Sequence, residues 1–331
     1  MRIFLTGGTG FIGAELARQL RLAGHEVIAL ARRPDQAQAL EAIGVQVHPG
    51  DITDKDSLFR PMQGADALFH VAGWYEVGTR DQSPAWAINV QGTRNVLEVM
   101  KELGIPKGVY TSSNVAFGDT GGEIVDESYR PQRPFVSVYD RSKSAADFEV
   151  AEPMMEAGLP LVVLHPGIVY GIGDHSMLQA GIELHLQRRL PALPKVAAAC
   201  FATVQDIAGA HLLALEKGKI GERYIVGGPI HTYLEVFELA ARVSGIPLPW
   251  LKAEPWMLKA NSALMGVLQK LGLRPPAHLT AEGLRVQAGV TYTASDEKAR
   301  RELGFDPTPL QEGLPPLILH TMQQLGLPLP D

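Results

Sequence analysis

Tyr139 and Lys143 stand four residues apart in the run Tyr139-Asp140-Arg141-Ser142-Lys143, a spacing that puts both on one face of a helix. An unperturbed phenol ionises near pH 10, too high for an efficient base at neutrality. A neighbouring ammonium favours the phenolate, so the pair reads as a proton-transfer device: general acid for reducing a carbonyl, general base for oxidising an alcohol. Upstream, Ser112 and Ser113 close the strand-like run Val109-Tyr110-Thr111, where Ser113 can donate a hydrogen bond to a substrate oxygen as its charge develops. Tyrosine and lysine at this spacing usually mark no more than a surface helix. The serine at a preceding strand end gives the pair its weight.

The other chemically distinctive stretch is Thr6-Gly7-Gly8-Thr9-Gly10-Phe11-Ile12-Gly13. It follows a short apolar run, Arg2 to Leu5, and precedes a segment in which Ile12, Leu16 and Leu20 recur every four residues, so it reads strand, glycine turn, helix. A helix N-terminus carries unpaired N–H groups and partial positive charge, and absent side chains let a pyrophosphate approach them. Gly13 lets the helix pack closely on the sheet. Gly7, Thr9, Gly10, Phe11, Ile12 and Gly13 therefore form a dinucleotide fingerprint with the required context on both sides. The second strand ends Ala31-Arg32-Arg33, with alanine where a ribose-binding aspartate is expected. Without that carboxylate a 2′-phosphate can sit there, gripped by a guanidinium. NADP(H) is favoured, with Arg32 as the main contact and Arg33 as its support, while NAD(H) stays open.

Strand and helix patterns alternate through the first half, the mark of βαβ units and a parallel sheet. The run from Ala67 to Gly73 suits a buried strand, about 83 to 103 a long helix closed by Gly104, and Leu161 to His165 a sixth strand. The fold class is α/β: a Rossmann-type doubly wound parallel sheet with a smaller, mostly helical C-terminal substrate lobe. Residues 1–165 form the dinucleotide-binding domain, with 200–227 returning to it through a strand at Arg223 to Val226. Residues 166–199 and 228–331 form the lobe and the C-terminal segment. Prolines interrupt the pattern beyond Pro166, and the apolar helical stretch from 247 to 290, with Trp250, Trp256, Met257, Leu264, Met265 and Leu268, reads mostly as lobe core.

A net charge of −6 offers no basic surface for nucleic acid. One cysteine, Cys200, excludes a disulfide framework and a multi-cysteine metal site, and the histidines show no ligand spacing, so no metal is expected. No apolar segment reaches 18 residues and the N-terminus enters a strand at once. A cytoplasmic protein with no membrane partner is expected.

These motifs together resemble the extended short-chain dehydrogenases/reductases, the NAD-dependent epimerase/dehydratase family, in a pattern nearest its dihydroflavonol 4-reductase-like and 3β-hydroxysteroid dehydrogenase-like branch. Thr6 to Gly13 resembles the family's fingerprint, Gly50-Asp51-Ile52-Thr53-Asp54 its adenine-contacting turn, and His70-Val71-Ala72-Gly73 its fourth strand. Tyr110 to Asn114 resembles the serine strand, Tyr139 to Lys143 the active-site helix, and His165 to Gly171 the proline-glycine turn. Thr203 to Ala208, Gly221 to Val226 and Ser295 to Phe305 carry the likeness through nearly the whole chain. The resemblance implies Asp51 and Ile52 at the adenine, Val71, Ala72, Gly73 and Thr111 along the cofactor, Pro166, Ile168 and Val169 near the nicotinamide, and Tyr139 and Lys143 reaching its ribose side. It also implies a homodimer joined through the helices after the fourth and fifth strands. Pro153 departs from the pattern and should end or kink the active-site helix.

The catalytic set is thus Ser113, Tyr139 and Lys143. Trp74, Tyr75, Asn114, Val115 and His175 are candidate substrate-pocket residues, although Trp74 and Tyr75 read equally as a packing pair and His175 as a solvated loop histidine. Reduction of a ketone or aldehyde of a small hydrophobic molecule is favoured over nucleotide-sugar epimerisation or dehydration, a reading that Arg274 and Arg285 keep open as diphosphate contacts. A non-catalytic NADP-sensing protein is the third reading.

Overall fold

Seven parallel strands form the central sheet of the computed structural model, which describes residues 1–330. In chain order the first six are β1 (Arg2–Thr6), β2 (Glu26–Ala31), β3 (Gln46–Pro49), β4 (Ala67–His70), β5 (Gly108–Thr111) and β6 (Leu161–Pro166). Arg223–Val226 joins the edge beside β6, giving the order Arg223–Val226, β6, β5, β4, β1, β2, β3. Strands such as β1 and β6 are continuous apolar runs because helices cover both faces, and their side chains divide between two cores, one on each side.

The order reverses between β1 and β4, where Thr6 lies in register with His70. The loops leaving these two strands part in opposite directions and open a crevice at their carboxyl ends. Helix α1 (Phe11–Leu22) follows the glycine turn directly and buries Gly13, Leu16, Ala17 and Leu20. Beyond β6 a second sheet combines Ile168–Tyr170, Ala198–Thr203, Ile230–Thr232 and Thr291–Tyr292, and the lobe's core packs on it. The helix Tyr233–Ser244 begins with a capping box between Thr232 and Glu235 and lies against Leu310–Gln324.

Two expectations need correction. Trp250, Trp256 and Leu264 are exposed, not lobe core: Trp250 stands in the loop before the helix Pro255–Lys270, and that helix buries the face opposite Trp256 and Leu264, at Leu258 and Ser262, against Ala281–Gln287. Pro153 does not end the active-site helix, which continues to Glu156. A wide π-helical turn at Ala146–Ala151 shifts the hydrogen-bond pairing so that proline falls in the first turn of the next segment, where its missing N–H leaves no gap. The helix after β4 likewise opens with a π-helical stretch, Ala85–Gly92, before the regular Thr93–Leu103. No helix of the described residues is long and apolar enough to cross a membrane.

Candidate active site

One cavity of about 720 Å³ runs from the glycine turn, past the ends of β4 and β5, into the lobe. Every site residue named from the sequence borders it except Arg33. Arg32 and Arg33 follow the last residue of β2 in the bend that leads to Pro34, both exposed, and Arg33 lies off the cavity wall. Arg32 stays at the cavity's rim, exposed and with no acidic partner among the described residues, while Ala31 is buried beside it.

The glycine turn fits a dinucleotide pyrophosphate. A Cβ on Gly13 would lie 2.0 Å from the Gly7 carbonyl oxygen, and one on Gly7 2.6 Å from the Ala72 nitrogen, so the turn, α1 and the end of β4 approach as closely as backbones can. Gly10 caps α1 with no side-chain hydrogen bond, which leaves the first-turn N–H groups free for an anion. Thr6 and His70 brace the crevice from behind. The Thr6 hydroxyl contacts His70 Nδ1 at 2.8 Å and accepts the Ala72 N–H, and His70 Nε2 meets Thr93 Oγ1 at 3.0 Å. Burial, with the Lys143 charge beside it, pushes the imidazole down to about 3, so it stays neutral.

The helix Val138–Ala145 carries Tyr139 and Lys143. Ser137 caps it by accepting the Asp140 N–H, and the Asp140 carboxylate accepts the Ser137 hydroxyl at 2.6 Å and the Tyr292 hydroxyl at 2.7 Å. Lys143 is buried and donates to the Thr111 carbonyl at 2.9 Å. Burial pushes its ammonium down to about 8, against the opposing pull of Asp147. Tyr139 differs from the expected phenolate. Burial and the neighbouring Tyr75 phenol raise it well above its ordinary value, and only the Ser113 hydroxyl works the other way. Tyr75 packs edge-on against Tyr139 at 4.9 Å between ring centres, and Trp74 is buried beside it.

Asn89, missed in the sequence, ties these parts together. Its amide accepts the Trp74 N–H at 2.7 Å and donates to the Trp74 carbonyl and to Ser142 Oγ, joining the end of β4 to the active-site helix. The π-helical stretch turns this side chain inward, and a lone amide amid the apolar run Ala85-Trp86-Ala87-Ile88 was the available signal. Glu282 of the lobe was also missed: its two oxygens accept the N–H groups of Gly78 and Val138, locking lobe, loop and helix. Behind the site, Asp147 is buried with His165, Arg223 and Ser112. Burial works to raise it, but His165 and Arg223 hold it well below the usual carboxylate range.

Residues 3–227 match the NAD dependent epimerase/dehydratase family. This chain belongs to that family. Among its relatives is a protein of Synechocystis sp. provisionally named a dihydroflavonol 4-reductase, 33% identical over 98% of this chain and 95% of the relative. A UDP-glucose 4-epimerase of Streptomyces lividans is 29% identical over 83% of this chain and 91% of the relative. The crystal structure of gox2253 superposes with a TM-score of 0.84 at 29% identity, covering 98% of each chain. Within the epimerase/dehydratase family this chain is an extended short-chain dehydrogenase/reductase with a Rossmann-type sheet.

Proposed function

We propose that this chain is an NADP(H)-dependent oxidoreductase that reduces a ketone or aldehyde of a small hydrophobic molecule, or oxidises the corresponding alcohol. The carrying observation is the make-up of the cavity's far end. Leu178, Leu184, Leu190, Leu193, Phe237 and Val286 line it, and among the described residues Arg32, at the cofactor end, is the one arginine on its wall. Arg285 borders a separate depression and Arg274 lies exposed, so neither offers the diphosphate grip that a sugar nucleotide requires. The likeness to the provisionally named dihydroflavonol 4-reductase supports the same direction. The likeness to a UDP-glucose 4-epimerase keeps epimerisation as the second reading, and the retained Ser113, Tyr139 and Lys143 weigh against a purely sensing role.

A bound nicotinamide supplies or takes the hydride. The chain's residues do the rest. Ser113 and Tyr139 hold the substrate oxygen between their hydroxyls, and Tyr139, kept protonated by burial, gives that oxygen its proton. Lys143 stands next in the relay, with an ammonium that burial pushes down to about 8. Buried Trp74 and the leucines exclude water, and Asn89 and Glu282 hold the loop after β4 and the helix Val138–Ala145. Oxidation of NADPH should be followed against panels of apolar ketones and of nucleotide sugars. Ketone-dependent oxidation supports the reading; turnover of a nucleotide sugar without net cofactor consumption overturns it.

A further inference from the structure

We propose that the outer face of the helix Pro255–Lys270, with the residues at its two ends, docks on an anionic lipid surface. The helix has two apolar faces. One is spent inside the protein: Leu258 and Ser262 are buried, the Ser262 hydroxyl donates to the Ala281 carbonyl at 2.7 Å, and Gln269 accepts the Ala281 N–H at 2.9 Å. On the opposite side Trp256, Leu264, Val267 and Leu271 fall within an arc of about 80° at the helical repeat. Leu271 is 79% exposed and the other three more than half. Trp250, 91% exposed, stands just before the helix and Leu273 just after it. Monomeric proteins rarely leave so continuous an apolar stripe in water.

Charge selects the occupant. Lys252, Lys259, Lys270 and Arg274 flank the stripe and are all exposed, whereas the one acid between 250 and 274, Glu254, is paired with Lys195. This concentration of cations occurs on a chain of net charge −6. A second copy docked through the same face would bring these lysines against their own images, which self-association disfavours. Anionic headgroups neutralise them, and tryptophans flanking an apolar stripe suit the boundary between headgroups and acyl chains. A helix lying in that boundary needs no 18-residue apolar run, so the expectation of no membrane partner, which rested on lacking one, does not bear on it. Ala277 and His278, in the turn that joins this helix to Ala281–Gln287, border the catalytic cavity, which places the docking face beside the cavity. The inference goes beyond the proposed reaction and stands without it.

The test is co-sedimentation of the full chain with vesicles of phosphatidylcholine, alone or mixed with phosphatidylglycerol, read together with tryptophan emission. Binding to the mixed vesicles with a blue-shifted emission is expected. Affinity should fall about tenfold or more in Trp256→Ser/Leu271→Gln, and should fall and lose its salt dependence in Lys259→Gln/Lys270→Gln, with thermal melts confirming that both variants fold. No binding to mixed vesicles overturns the proposal, as does equal binding to phosphatidylcholine alone. Concentration-dependent self-association abolished by Trp256→Ser/Leu271→Gln also overturns it, assigning the face to a second copy.

Discussion

Gly10 and Gly13 share one motif but answer to different demands, so alanine should fail differently at each. At Gly13 the added Cβ would sit 2.0 Å from the oxygen and 2.7 Å from the carbon of the Gly7 carbonyl. Both are backbone atoms, and no side chain can swing aside. Alanine gains about 1 kcal/mol of helix propensity over glycine. Overpacking typically costs about 1–3 kcal/mol, and this collision is at the severe end because the turn itself must leave the helix. The net loss should exceed about 1 kcal/mol and lower the melting temperature by several degrees. At Gly10 the Cβ would meet only the Gly7 oxygen, at 3.3 Å, and the backbone there (φ −85°, ψ 172°) is one that any residue adopts. Gly10→Ala should therefore melt within about 0.5 kcal/mol of wild type. Its methyl group nevertheless stands where a pyrophosphate must reach the first turn of α1, and NADPH affinity should fall at least about tenfold, or roughly 1.4 kcal/mol. Thermal melts without cofactor and calorimetric titration with NADPH separate the two effects. A Gly10→Ala protein that binds NADPH as wild type does, or a Gly13→Ala protein that melts with it, would refute the assignment of one glycine to ligand and the other to fold.

Three further outcomes follow from named contacts. Arg32→Ala should weaken NADPH by about 10- to 100-fold, the worth of a charge-assisted hydrogen bond, and leave NADH nearly unchanged; equal losses in parallel titrations would remove the 2′-phosphate role. Asn89→Ala strands the buried N–H and carbonyl of Trp74 and should cost about 2–4 kcal/mol in denaturant unfolding; a negligible loss would mean the clamp holds nothing. Burial raises Asp140 to about 6, with the Ser137 and Tyr292 hydroxyls opposing. The native state therefore binds the extra proton between the ordinary carboxylate value and about pH 6, and the cost of its charge is absent at acid pH and full above 6. Asp140→Asn should gain stability over wild type as pH rises through that window, by about 1–3 kcal/mol at most. A difference independent of pH would contradict it.

Local rules made the glycine turn legible, since Gly7, Gly10 and Gly13 lie within one turn whose steric demands are set by immediate neighbours. The order of Ser113, Tyr139 and Lys143 was legible because a strand end and the helix after it must converge on the same sheet edge. Contacts between distant parts of the chain were not. Glu282 reaches Gly78 and Val138, and Tyr292 reaches Asp140, through a lobe whose placement no local pattern states. Composition also misled: Trp256 and Leu264 are apolar, yet periodicity cannot say which of two apolar faces a helix buries. Adjacent Arg32 and Arg33 follow the end of β2 in a bend, and no local pattern states that Arg32 alone borders the cavity.

The central claim, that Tyr139 gives a proton to a substrate carbonyl as NADPH is consumed, is tested most directly with NADPH carrying deuterium at the nicotinamide C4. With an apolar ketone, the deuterium should appear on the product's carbinol carbon in step with NADP⁺ formation, and Tyr139→Phe should abolish the transfer while still binding NADPH. Absence of label from every ketone, together with conversion of a nucleotide sugar that returns the cofactor unchanged, would contradict the account.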